Sequence, residues 1–359
     1  MPTDNARTIV GFRRDRLIAR LKNFLAAWDF ARIIDARFVL NWDNKDIADN
    51  GPCAFFDIFD EAQMHALEDE IALRFMPWEE FFEQPYAEPD LRIGKKEVID
   101  PEAYRRRAFD HIWYLPTHSP RNVDWVGDTR IEAKRALLAR LTLHPNVSEA
   151  LKLLDARIGV PDAVAVHIRR GDMIWADYGI KKAGLVPARA GLRELAGPFA
   201  ARYAPDATYH RMIADLPPDR KLVLFSDDPE MRVAFTERYA NRVIDVHRAL
   251  DKMELTRVQR DLTEFLLLSK LPHILGSGSA YATFAAELGG AGTTLTHGYL
   301  SADEVIADVL ELTDARPDKA AAQAVYLGHY RNILERYGRA DEVARVRDKI
   351  AALEAGNSS

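Results

Sequence analysis

The sequence predicts an α/β protein of two domains closed by a helical hairpin. Three observations carry that expectation. Short apolar, β-branched runs recur along the chain with helically spaced stretches between them. Such alternation implies parallel sheets covered on both faces. The length, 359 residues, is more than one core ordinarily serves and fits two domains. After Pro317 the pattern is purely helical: Ala320 to Tyr337, then Gly338 as a C-cap, then Ala340 to Leu353. The expected division is 1–158, 159–316 and 317–359, with the first break at the turn-forming Gly159-Val160-Pro161.

In chain order, Thr8–Phe12 reads as a strand, Leu17–Ile34 as a helix and Phe38–Trp42 as a second strand. That is the β-α-β opening of a doubly wound sheet. The aromatic, proline-rich and acidic region from Phe55 to Asp128 offers strands at Ile71–Phe75 and His111–Leu115. Ile131–Ile158 reads as helix with a break near His144-Pro145. The second half gives strands at Val164–Ile168, Lys221–Phe225, Val243–Val246, His273–Leu275 and Thr294–Thr296. Helices are expected at Leu192–Tyr203, Pro229–Tyr239, Leu255–Ser269 and Tyr281–Leu288.

Composition narrows the function. Hydrophobic content of 48% and charged content of 29% are those of a soluble globular chain. A net charge of -6 supplies no basic field for nucleic acid or an anionic membrane. A single cysteine, Cys53, excludes an internal disulfide and a thiolate cluster. It fits a reducing compartment, and a cytoplasmic location is expected. No apolar run reaches the roughly 20 residues of a bilayer span, and Met1–Arg16 lacks the apolar core of a signal peptide.

Chemistry concentrates at three strand ends. The run Val164-Ala165-Val166-His167-Ile168 empties into Arg169-Arg170-Gly171-Asp172. Ligands of α/β proteins bind at loops leaving the carboxyl ends of strands. Two planar guanidinium forks there suit a diphosphate, or they form a solvated pair with Asp172. The second strand ends in Ser226-Asp227-Asp228 before Pro229. Asp228 reads as the N-cap of the next helix, leaving Asp227 to hold a ribose, a base edge or an arginine. The third, His273-Ile274-Leu275, runs through Gly276-Ser277-Gly278-Ser279 into a helix. Small residues and a helix N-terminus can receive a phosphate on Ser277, Ser279 and backbone N–H groups. Ser279 is equally placed to do no more than cap that helix.

The ordered set of strand-His-x-Arg-Arg-x-Asp, strand-Ser-Asp-Asp and strand-small-Ser-helix, some fifty residues apart, resembles the fucosyltransferase superfamily. That superfamily holds α1,2- and α1,6-fucosyltransferases, Nod-factor fucosyltransferases and protein O-fucosyltransferases. The resemblance runs from Pro161 to Gly290 and is closest to bacterial α1,6-type enzymes. It implies a GT-B fold of two facing Rossmann-like domains. The second would bind GDP-fucose, and the first would contribute to the acceptor site. It also implies residue roles. Arg169 would neutralise the leaving β-phosphate, with Arg170 beside it. Ser279 would contact phosphate, and His167 would lie next to the nucleotide. Glu264 would read the guanine, with Asp261 a competitor one turn earlier, and Asp227 and Asp228 would be the family's acidic pair. Three places depart from the pattern: Gly11-Phe12-Arg13-Arg14-Asp15 in the first loop, Met173, and Tyr281-Ala282.

The resulting expectation is an inverting, metal-independent glycosyltransferase with no resident cofactor. It would move fucose from GDP-fucose to the hydroxyl of an oligosaccharide, a lipid-linked glycan or a glycoprotein. Inversion needs a general base opposite the leaving group. Asp177 stands eight residues after Arg169, where α1,6-type relatives carry a glutamate, and Trp175 and Tyr178 flank it. The alternatives are a transferase for another GDP-sugar and a non-catalytic nucleotide-sugar or glycan-binding protein.

Overall fold

The computed structural model describes residues 7–13, 16–42, 53–67, 71–74, 78–94, 99–116, 130–169, 206–277, 279–296, 301–304, 306–307, 324, 327–328, 330–331, 334–335 and 338–356. The chain divides into two compact units. One is Met1–Leu153 with Met253–Leu266, and the other is Leu154–Lys252 with Leu267–Ser359.

The first unit is built on a parallel sheet of β1 (Thr8–Phe12), β2 (Arg37–Asn41), β3 (Ile71–Arg74), β4 (Leu91–Ile93) and β5 (His111–Tyr114). The spatial order is β3-β2-β1-β5-β4. Helix α1 (Leu17–Ile33) returns the chain from β1 to β2. Apolar residues run round the whole of α1, and Leu21, Phe24, Leu25 and Trp28 are all buried, as expected of a helix inside a core. Its approach to the sheet requires Gly11, because a Cβ there would lie 2.9 Å from both Ala27 Cβ and the Phe38 ring.

Further helices are α2 (Glu61–Met64), α3 (Trp78–Phe81), α4 (Pro101–Arg106), α5 (Ile131–Leu138) and α6 (Pro145–Ile158). One strand was missed here, and one expected break is observed. Strand β4 was not predicted, since three residues in an acidic, proline-rich region show no period. The break expected near His144-Pro145 is observed, and it separates two helices, Ile131–Leu138 and Pro145–Ile158. The chain leaves helix after Leu138, bridges Leu143 to Phe59 in antiparallel fashion, and restarts with Pro145 at the first helical position.

The second unit's sheet comprises β6 (Ala163–Ile168), β7 (Lys221–Ser226), β8 (Val243–Asp245), β9 (His273–Gly276) and β10 (Gly292–Leu295). The order is β10-β9-β6-β7-β8, parallel throughout. Every residue of β6 is buried. Val164, Val166 and Ile168 pack with Leu222 and Leu224 of β7 and with Tyr209, Met212 and Ile213. The last three lie on α7 (Asp206–Ala214), a helix absent from the expected set; the expected helix Leu192–Tyr203 lies outside the described residues. Then come α8 (Pro229–Tyr239), α9 (Val246–Leu250), α10 (Arg257–Lys270), α11 (Ala280–Gly289) and α12 (Ala340–Gly356).

Val246, expected in a strand, opens α9 instead. Asp245 Oδ1 accepts the Arg248 N–H at 3.2 Å and caps the helix there. The last strand begins two residues earlier than expected, at Gly292, and Thr296 lies beyond it. Helix α11 ends at Gly290 in the left-handed region, φ 71°. Near the C-terminus Leu327, Tyr330 and Leu334 pack against Val343, Val346 and Ile350 in a core of their own. Between the two sets, Gly338 takes φ 67°, and the Arg339 N–H reaches Leu334 O at 3.0 Å. Among the described residues no helix is long and apolar enough to cross a membrane.

Candidate functional site

In the second sheet the chain runs outward from β6 through β7 to β8, then returns to the other side of β6 for β9 and β10. The strand order therefore reverses between β6 and β9. The carboxyl ends flanking such a reversal form the crevice where open α/β sheets bind ligands. Strand β6 delivers Arg169 there, and β9 delivers Ser277 and Ser279. The register pairs His167 with Gly276, so the two strand exits are side by side.

His167 is buried at 6% exposure. Its ring lies parallel to that of Tyr281 on α11, with centroids 5.4 Å apart and an angle of 14°. The Tyr209 hydroxyl donates to the His167 carbonyl at 3.1 Å, so α7 fixes the end of β6. Burial, and secondarily the Arg169 guanidinium, push the His167 pKa down to about 3. The imidazole is thus neutral at pH 7. Its buried Nδ1 has no hydrogen-bond partner among the described residues.

Ser277 and Ser279 are each 1% exposed. Ser277 O accepts the Ser279 N–H at 2.6 Å. Ser277 Oγ, like His167 Nδ1, is buried without a partner among the described residues. Ser279 is the N-cap of α11, its Oγ accepting the Ala282 N–H at 3.2 Å. Its carbonyl takes the Thr283 N–H at 3.0 Å and the Thr283 hydroxyl at 2.9 Å. A serine hydroxyl also carries one proton to donate, so capping leaves Ser279 able to serve an anion. Helix α11 spans ten residues and turns its positive end toward this exit. Half-buried Arg169 leaves β6 beside it.

The remaining expected residues fall into three groups. Asp228 caps α8, its Oδ1 accepting the Met231 N–H at 3.2 Å, while Asp227 is exposed after β7. Glu264 and Asp261 are half-buried on α10, in the stretch that clusters with the first unit. Arg170, Asp172, Met173, Trp175, Asp177 and Tyr178 lie outside the described residues. Among the described residues no group of three or more His, Cys, Asp or Glu could hold a metal ion.

Sequence reasoning missed two contributors, Tyr209 and Tyr281. Tyr209 could have been found from the apolar spacing of Tyr209, Met212 and Ile213, which marks a helix face. Tyr281 follows the cap by two residues, and nothing in the sequence shows that its ring lies on that of His167.

No protein-family model and no curated protein matches this chain. Among solved structures it is similar to the fucosyltransferase NodZ from Bradyrhizobium, at TM-score 0.45 and 14% identity, over 78% of this chain and 92% of that one. It is also similar to the apo form of POFUT1, at TM-score 0.43 and 11% identity, over 82% of this chain and 99% of that one.

Proposed function

We propose that this protein is an inverting glycosyltransferase that moves fucose from GDP-fucose to a glycan hydroxyl, with α1,6-type transfer favoured. The observation that carries the reading is the convergence at the β6–β9 reversal. One arginine, one helix N-terminus and two buried polar atoms without described partners meet there. Such a constellation fits a diphosphate. Breaking the sugar–phosphate bond builds negative charge on the leaving group. Fixed guanidinium and N–H donors stabilise that charge without reorganising. Arg169 would hold the β-phosphate, with Arg170, Ser277 and Ser279 contributing. The neutral His167–Tyr281 pair would wall the pocket.

The choice of fucose and guanine rests on the sequence resemblance, in which Glu264 and Asp227 serve the nucleoside. In this reading the second domain binds the donor and the first serves the acceptor, an oligosaccharide, lipid-linked glycan or glycoprotein. Asp177 takes the acceptor proton. The enzyme needs no metal and no cofactor and works in the cytoplasm.

The test is a panel of nucleotide sugars incubated with the protein, with and without EDTA. GDP-fucose should be hydrolysed or transferred in either condition, and GDP should raise the melting temperature more than UDP or ADP does. A ligand at 100 times its Kd adds about 2.7 kcal/mol. Turnover of another GDP-sugar alone would move the assignment to that sugar. Binding without turnover of any sugar would reduce the protein to a binding module. Asp177→Asn should lower turnover about 100-fold or more with GDP affinity kept; equal turnover would remove Asp177 from its role.

A further inference from the structure

A basin of about 550 Å³ opens on the first unit, lined by Phe56, Asp60, Glu61, His65, His144 and Pro145 with Ala62. Three chain segments fix its shape. The Asp60 N–H donates to Thr142 O at 2.9 Å and the His144 N–H to Ile58 O at 2.9 Å, so the α2 region and the α5–α6 connection clasp each other. Gln259 of α10, 3% exposed, donates its Nε2 to Asp57 O at 2.8 Å and reaches His144 Nδ1 at 3.3 Å.

The lining is chemically mixed. Phe56 and Pro145 offer flat apolar faces. Glu61 is exposed, and its carboxylate has no partner among the described residues. Asp60 spends one oxygen on the Gln63 N–H at 2.8 Å and keeps the other. His144 is engaged at Nδ1 alone among the described residues, which leaves its Nε2 facing no described partner.

We propose that this basin binds a saccharide, either neutral or carrying amino groups. A pyranose ring has an apolar C–H face that suits Phe56 and Pro145, and hydroxyls that donate to carboxylates. Hydrogen bonds to an ionised acceptor are the stronger kind. The volume lies in the range of small-molecule sites. An acidic glycan is disfavoured, because two carboxylates and no lysine or arginine line the basin. The choice of a glycan over other hydroxyl-rich ligands rests on the glycosyltransferase reading above.

The experiment titrates the full chain, without nucleotide, with cellotetraose, a glucosamine tetramer, tetragalacturonate and a tetra-arginine peptide. The neutral and amino tetramers should bind, and tetragalacturonate should not. Phe56→Ala should weaken both by about tenfold or more. Glu61→Gln, at an exposed position, should weaken the amino tetramer more than the neutral one and leave the melting temperature in place. Both variants should keep the parent's GDP affinity. Equal binding of the acidic tetramer, indifference to both substitutions, or binding of the peptide alone would overturn the proposal. If no saccharide binds while GDP-fucose is still hydrolysed, the basin fails and the transferase reading stands. If saccharides bind as stated and no nucleotide sugar turns over, the basin stands and the transferase reading fails.

Discussion

Each sheet has one point where strand order reverses, and the two points are furnished in opposite ways. In the first unit it lies between β1 and β5. There the Asn23 side chain, buried on α1, donates to Tyr114 O at 2.9 Å and to Pro116 O at 2.8 Å. Arg13, just past β1, donates to Leu115 O at 3.0 Å. Three successive carbonyls leaving β5 are thus taken by the chain's own side chains. At the β6–β9 reversal, two buried side-chain atoms have no described partner. In one crevice the exiting carbonyls are bonded to the chain's own side chains, and in the other two buried side-chain atoms have no partner among the described residues. A doubly wound sheet makes both crevices, and their side chains differ.

The sharpest way to break this contrast is Arg169→Lys. It keeps the charge and loses the planar fork, so GDP-sugar turnover should fall about 100- to 1000-fold, the cost of removing one strong transition-state donor. Steady-state kinetics with the melting temperature as folding control reads it, and a variant within a few-fold of the parent would return the second crevice to mere structure. Next in size is Asn23→Leu, which strands two buried carbonyls. Each such group costs about 1–3 kcal/mol, so chemical denaturation should show a loss of about 2–4 kcal/mol with GDP affinity untouched. Loss of GDP binding in a still-folded variant would mean that the first crevice is also a nucleotide site.

Ser277→Ala should do the reverse of Asn23→Leu. It removes a hydroxyl that bonds nothing described, so stability should hold within about 0.5 kcal/mol. GDP affinity should drop by about tenfold, the worth of one hydrogen bond, and calorimetric titration would settle the split. The smallest effect is expected from His167→Phe. A pKa held near 3 when folded, against about 6.5 unfolded, means that the unfolded chain binds the extra proton. This contribution to stability is therefore full above pH 6.5 and lost as pH falls toward 3. Between pH 7.5 and 5.5 the parent should lose about 1 kcal/mol more than the variant. Parallel pH profiles would show that the imidazole is not desolvated.

The strands bearing the site were legible because each is a buried, largely apolar run ending in polar residues, as Val164–Ile168 and Leu222–Phe225 show. Strand β4 was not legible, since its three residues hold their place through β5 rather than through a pattern of their own. The capping roles of Asp228 and Ser279 could be read from residue type and position alone, because an N-cap is a local device. The rings of His167 and Tyr281 meet across more than a hundred residues of sequence, and no local rule reports such a contact. Nor does spacing say whether Asn23 or Ser277 is satisfied. That depends on which carbonyls the fold brings within reach.

Helix α10 has a consequence for how the molecule is made. Its stretch up to Leu266 belongs to the unit that began at the N-terminus, and the buried Gln259 supplies a hydrogen bond that holds Asp57. Domains made during translation generally fold as they emerge, the first one first. Here the first unit cannot be completed when Leu153 leaves the ribosome. It must wait while almost a hundred residues of the second, through Lys252, are synthesised. The late-arriving helix then closes the older structure, so the two halves of the protein mature together rather than in turn.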